Sequence, residues 1–251
     1  MNGIVLYEGP SLIDGDPIVA IMTGLRGSSN PKTGSMLQTW ILRSDMHPVD
    51  ALSSGADYSI CGGCPHRPQG KPKPGKRYGS RACYVNPMSF GSVFKAYQSG
   101  KYIRTDATRS YTAGRYVRLG SYGDPAAVPF GVWRNLVRGA IGHTGYTHQW
   151  RDCDSRLRRL CMASVDTESD YQEAKRAGWR CFRVRGSADP ILSTESVCPA
   201  SDEAGKLTTC MRCRLCSGSF EDRANPPRDI SIVVHGAGAR NFQPLTIGGK
   251  P

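Results

Sequence analysis

Seven of the ten cysteines fall into two groups whose spacing suits metal chemistry. The tighter group is Cys210-Met-Arg-Cys213-Arg-Leu-Cys216, a C-x2-C-x2-C run, with Cys198-Pro199 upstream of it. Three sulfurs on one tight loop, with a fourth reaching in from a neighbouring strand end, is the ligand economy of an iron–sulfur cluster. The Cys-Pro pair matches the ending of ferredoxin runs. Zinc also takes four thiolates, tetrahedrally, although more often from two separate C-x2-C knuckles. Disulfides need an oxidising compartment and suit three cysteines this close together badly.

The second group is Cys61-Gly-Gly-Cys64-Pro-His66, followed after a loop rich in Pro, Gly and Lys by Arg81-Ala-Cys83-Tyr84. The glycines let the backbone turn so that both sulfurs face one centre, and Cys83 is the natural third ligand. If His66 ligates, the site is a closed Cys3His zinc site. If it does not, three cysteines hold a cluster with one iron open to a substrate or cofactor. Lys71, Lys73, Lys76 and Arg77 in the intervening loop suit either a phosphate or a solvated surface. Cys153, Cys161 and Cys181 stand singly among apolar or helical residues and read as small core hydrophobes. His143 and His235 have no partners in sequence and read as structural. Asp166, Glu168 and Asp170 read as charge at a helix N-terminus.

Something must position these groups, and the sequence pattern supplies an α/β frame. Residues 1–45 carry three β-rich runs, Ile4–Tyr7, Pro17–Met22 and Gln38–Leu42, separated by turn signals at Asp14-Gly15 and in a flexible 27–34 loop. This segment reads as a β-rich N-terminal cap in which nothing looks catalytic. His47–Leu52 starts a helix that Gly55 ends, and 88–103 is an amphipathic helix stopped by Gly100. From Arg115 strands and helices alternate. The expected strands are 116–119, 144–150, 161–165, 179–184, 196–198 and 230–234, with helices over 129–138, 152–160 and 166–177. That rhythm predicts βαβ units on a parallel sheet, as a partial or irregular (β/α) barrel filling residues 46–251. It carries the metal loops 61–83 and 198–216.

Parallel α/β sheets place their chemistry at the C-terminal strand ends. By that rule Ser121, Asp124, His148, Gln149, Arg151, Asp166, Arg183, Arg185 and Cys198 share one rim. Asp124, His148 and Arg151 are then the candidate catalytic residues. The metal-ligand candidates are Cys61, Cys64, Cys83, Cys198, Cys210, Cys213 and Cys216.

A chain of 251 residues can bury a core without staples, so ten cysteines are not needed as a disulfide framework. No stretch approaches the roughly 18 apolar residues of a membrane span, and no apolar leader follows Met1. The expected setting is the cytoplasm, where thiols stay reduced. A net charge of +12, from 33 Lys and Arg against 21 Asp and Glu, points to an anionic partner such as a nucleic acid or a nucleotide. A rolling-circle nickase is disfavoured, because no pair of histidines flanks a single hydrophobic residue.

The Cys61-x2-Cys64…Cys83-Tyr84 segment, then Gly120-Ser-Tyr-Gly-Asp-Pro-Ala-Ala-Val-Pro129, then a strand ending in Gln149-Trp-Arg151, resembles the layout of radical-SAM-like proteins encoded by bacteriophages. The resemblance covers roughly residues 55–200. It implies that Cys61, Cys64 and Cys83 hold a [4Fe–4S] cluster whose open iron binds S-adenosylmethionine. It further implies that Gly120, Ser121, Gly123 and Asp124 approach the methionine moiety, and that the second cysteine group holds an auxiliary cluster. For a phage-encoded chain the compartment is the host cytoplasm. The competing expectation is a zinc-stabilised nucleic-acid-binding or replication-associated protein whose cysteine groups are both structural.

Overall fold

The computed structural model describes residues 2–28, 30–105, 108–219 and 227–242. Within the expected second region, residues 106–107, 220–226 and 243–251 lie outside the described residues.

The three N-terminal runs form β1 (Gly3–Pro10), β2 (Pro17–Thr23) and β3 (Leu37–Arg43), an antiparallel meander. Ile18 to Met22 are wholly buried, as expected for a strand covered on both faces. β4 (Ile103–Arg104) lies parallel to β1 at the edge, and β5 (Tyr116–Tyr122) lies parallel to β3 on the other side, followed by β6 (Gly142–Thr144). The segment 1–45 thus shares a six-stranded sheet, ordered β4-β1-β2-β3-β5-β6, with strands from the following region.

The second sheet has five strands. β7 (Tyr146–Thr147), β8 (Met162–Val165), β9 (Cys181–Arg185), β10 (Glu195–Val197) and β11 (Asp229–Val233) are all parallel, in the order β7-β8-β9-β11-β10. The strand expected over 144–150 is therefore broken, and Gly145 is the break. Its N–H donates to the Cys216 carbonyl and its own carbonyl accepts from Met162, both at 3.0 Å. A Cβ there would stand 2.8 Å from Cys161 Sγ, so a side chain would push the two sheets apart where the chain crosses between them.

Helices cover these sheets. α1 (Pro48–Ser54) starts with proline in its first turn, capped by His47, and ends at Gly55 with φ +83°. α2 (Tyr58–Cys61) is a single turn carrying the first cysteine, and α3 (Pro87–Gln98) buries Phe90, Val93 and Phe94. α4 (Thr108–Thr112) packs on α5 (Phe130–Val137), whose Trp133 donates to the Pro125 carbonyl at 2.8 Å. α6 (Glu168–Arg176) is capped by Thr167, and α7 (Cys210–Cys213) is one turn inside the second cysteine run. The helix expected over 152–160 is a 3₁₀ turn at Ser155–Arg159, and the loop expected from Gly120 starts later, because β5 runs through Tyr122. Among the described residues no helix is long and apolar enough to cross a membrane.

Alternate residues of successive parallel strands line one cavity. They include Arg118 of β5, Tyr146 of β7, Ser164 of β8, Phe182 and Val184 of β9, and Ile230 and Ile232 of β11. The sheets are therefore concave toward a shared chamber.

Candidate metal centre

All seven clustered cysteines line this chamber, which measures about 190 Å³. The first group is assembled by backbone hydrogen bonds across a long excursion. After Cys64 and His66 the chain leaves, closes on itself through an antiparallel bridge between Gln69 and Ser80, and returns. The Cys83 N–H then donates to the His66 carbonyl at 3.1 Å. Gly79 permits the closure, since a Cβ there would sit 2.3 Å from the Gln69 carbonyl oxygen.

Gln149 holds the other side of this group. Its amide donates to the Cys61 carbonyl and accepts from the Gly63 N–H, both at 3.1 Å. Gly62 lies between them at φ +54° and ψ −136°, where an L side chain is strained. Arg67 grips Asp57 with two hydrogen bonds of 2.9 and 2.7 Å and reaches the Gly62 carbonyl at 3.2 Å, so a guanidinium stands beside Cys61 and Cys64. Burial pushes the Cys61 thiol well up, and Cys64, Asp57 and Cys83 add to the rise.

Two buried side chains beside these cysteines carry donors without a hydrogen-bond partner among the described residues. Arg81 gives one nitrogen to the Cys83 and Val85 carbonyls, but its Nε and Nη1 are buried without partners. The Tyr122 hydroxyl is likewise unpartnered, within the field of Cys61 and Cys83. Unpaired buried donors cost about 1–3 kcal/mol each. Unspent donors beside thiols would suit a sulfur-bound anionic group.

The second group is tied into both sheets. Cys198 follows β10 and donates its N–H to Ser231 of β11 at 2.8 Å, while the Cys210 N–H donates to the Lys32 carbonyl at 2.9 Å. Burial raises the Cys198 and Cys210 thiols, Lys32 opposes this at both, and Arg118 opposes it at Cys210. Burial takes Cys216 up to about 12, beside the Tyr146 hydroxyl. Among the described residues no three cysteine sulfurs lie within 4.8 Å of one another. Four Zn–S bonds of about 2.3 Å in a tetrahedron would bring them to roughly 3.8 Å. A cluster, with iron atoms between its ligands, spreads them further.

The remaining expected residues separate. Asp124 is buried and lines the chamber: its carboxylate accepts from the Ala126 N–H at 2.9 Å and the His148 N–H at 2.8 Å, and its own N–H donates to the Ile60 carbonyl at 2.6 Å. Burial raises its pKa. Ser121 donates to Gln38 at 2.7 Å. Gly120 and Gly123 have φ of +65° and +81°, and at Gly123 a Cβ would meet Ile41 at 2.6 Å, so these glycines shape the chamber wall.

His148 does face the chamber. Burial alone would lower its pKa, but Cys64 and Asp166 outweigh that and hold it well above the ordinary value. Asp166, which the sequence assigns to helix N-terminal charge, accepts from His66 at 2.8 Å. The two imidazoles hold it far below the usual carboxylate range in spite of burial. Arg151 is not on the chamber. It lies over the Trp150 ring at 3.9 Å and pairs with Asp170 and Glu173 of α6. Arg183 and Arg185 are also turned away, pairing with Glu195 and Glu203, because strand alternation gives the inward positions to Phe182 and Val184.

Two chamber residues escaped the sequence reading. Lys32 comes from the loop read as flexible, and its Nζ lies 3.0 Å from His235 Nε2. His235, read as structural, stacks on Tyr84 at 5.3 Å, and Tyr84 in turn bonds Arg118. His143, by contrast, is structural as expected, donating to the Leu160 carbonyl, with burial lowering its pKa to about 4.

No family model, no curated protein and no solved structure matches this chain.

Proposed function

We propose that the protein is an iron–sulfur enzyme of radical-SAM-like type acting on a nucleic acid or nucleotide, on a parallel-stranded frame curved into a partial barrel. The observation that carries this reading is the meeting of both cysteine groups in one chamber on the concave face of the sheets. The order of the strands adds support. Cys61 and Cys64 follow β3, the first strand of the parallel series, and the Gly120–Asp124 segment ends the next, β5. A [4Fe–4S] cluster with one open iron supplies the reductive cleavage of S-adenosylmethionine when both are bound.

The chain's own residues do the rest. Cys61, Cys64 and Cys83 would bind the cluster, with Arg67, Arg81 and Tyr122 offsetting its negative charge. Cys198, Cys210, Cys213 and Cys216 would saturate a second one, flanked by Lys32 and Arg118. The glycines at 120 and 123 keep that wall free of side chains, and Phe182, Val184, Ile230 and Ile232 exclude water.

Anaerobic purification tests this. Brown protein with about four to eight irons per chain, releasing 5′-deoxyadenosine from S-adenosylmethionine on reduction, is the expected result. Colourless protein with one or two zincs overturns it. Nucleic-acid affinity that does not fall with salt would remove the proposed substrate class.

A further inference from the structure

We infer that His66, His148 and Asp166 form a site for one divalent first-row transition ion, separate from both cysteine groups. The three side chains arrive from different places: the loop after Cys64, the end of β7 and the end of β8. Their ligand atoms nevertheless lie within 4.8 Å of one another. His66 Nε2 stands 2.8 Å from one Asp166 oxygen and His148 Nε2 stands 3.3 Å from the other. Metal–ligand bonds of about 2.0–2.2 Å set neighbouring ligand atoms roughly 3 Å apart, so an ion needs little rearrangement here.

A carboxylate that merely fastened two imidazoles would satisfy both of them. Here it aligns with one: His148 Nε2 is buried and stands 3.3 Å from Asp166 without the alignment of a hydrogen bond. That nitrogen lies within 4.8 Å of the other two ligand atoms, where an ion would take it. Cys64 neighbours His148, yet its sulfur is not within 4.8 Å of the whole group, so the site adjoins the cysteine trio without sharing a ligand with it.

Two histidines and one carboxylate are the donor set of sites that leave coordination positions open, suited to Fe²⁺, Mn²⁺ or Zn²⁺. Both imidazoles line the chamber, so the open positions face whatever enters it. Phe242 stacks on the His66 ring at 5.7 Å and covers another side. An oxygen-bearing group, a phosphate or carboxylate oxygen, is the chemistry such an ion would hold. This inference does not depend on clusters filling the cysteine groups.

Mn²⁺ is the probe, because it prefers nitrogen and oxygen donors and avoids thiolates. Titrated into the protein as isolated, it should lose its free-ion electron paramagnetic resonance signal at one equivalent per chain. Pulsed measurements on the bound ion should show couplings from two imidazole nitrogens. Asp166→Asn and His66→Gln should each weaken binding by at least about tenfold, while Cys213→Ser leaves it unchanged. No saturable binding, bound Mn²⁺ without imidazole couplings, or equal loss in Cys213→Ser overturns the inference. The wild-type measurements decide even if a variant fails to fold.

Discussion

Gly62→Ala perturbs the first cysteine loop at one atom. Gly62 sits at φ +54° and ψ −136°, and a Cβ there would lie 2.3 Å from Gln149 Oε1 and 2.4 Å from Cδ. The backbone strain is worth about 1–3 kcal/mol. The clash also ejects the Gln149 amide, whose two hydrogen bonds to Cys61 and Gly63 contribute about 1 kcal/mol each. Gly62→Ala should therefore cost about 3–5 kcal/mol, and Gln149→Ala, which only removes the amide, about 2 kcal/mol. In the double variant the amide is lost once, so the single costs should exceed the double by about 2 kcal/mol. Denaturant melts of the four proteins measure this, with metal content per chain reporting on the loop. Additivity within about 0.5 kcal/mol would refute the clash as the cause, and a Gly62→Ala protein as stable as wild type would refute the strain as well.

Asp57→Ala should cost about 3 kcal/mol in a denaturant melt, because Asp57 is buried and its loss leaves the largely buried Arg67 guanidinium unpaired. Arg151→Ala should change stability little and leave the chamber's activity and metal content untouched, because its partners lie on the outer face of α6; an activity loss would return Arg151 to the site. His143 is neutral in the folded chain, with a pKa of about 4, below the unfolded value of roughly 6.5. Its contribution is present above pH 6.5 and is lost as the pH falls toward 4. His143→Gln should flatten the stability–pH slope between those limits, and an unchanged slope would show that His143 does not carry it.

The elements were largely legible, because caps and apolar runs act locally: Pro48 and Gly55 bracket α1, and Gly100 follows the end of α3. The site was legible only where chemistry is written in spacing. Cys210, Cys213 and Cys216 announce themselves and Cys83 was grouped with Cys61 and Cys64, but the Gln69–Ser80 bridge that brings it back is a long-range closure that no local pattern encodes. Lys32 was hidden by its surroundings, since a Gly, Ser, Asn and Pro stretch reads as linker. Only the fold shows it lying against Cys210. Arg183 and Arg185 were misplaced because both faces of β9 are covered, so period-two alternation could not say which face was the chamber. Asp166 carried the helix-start signal of a capping region, and that signal masked its reach to two histidines from other loops.

The chamber also changes what the net charge of +12 can be used to argue. Thiolates brought together in a buried space repel one another unless cations stand beside them. Arg67 and Arg81 flank the first group, and Lys32 and Arg118 flank the second. Arg43, Arg151, Arg183 and Arg185 are held by carboxylates of the chain itself. The carboxylate-paired arginines cancel within the chain and add nothing to the excess, and the cations beside the cysteines face inward, so neither set offers charge to a partner. Arg214 is exposed and lines the chamber, and Lys71, Lys73 and Lys76 are exposed on the excursion between His66 and Arg81. That excursion also brings Cys83 back to its partners. An anionic partner is better argued from these exposed cations than from the composition of the whole chain.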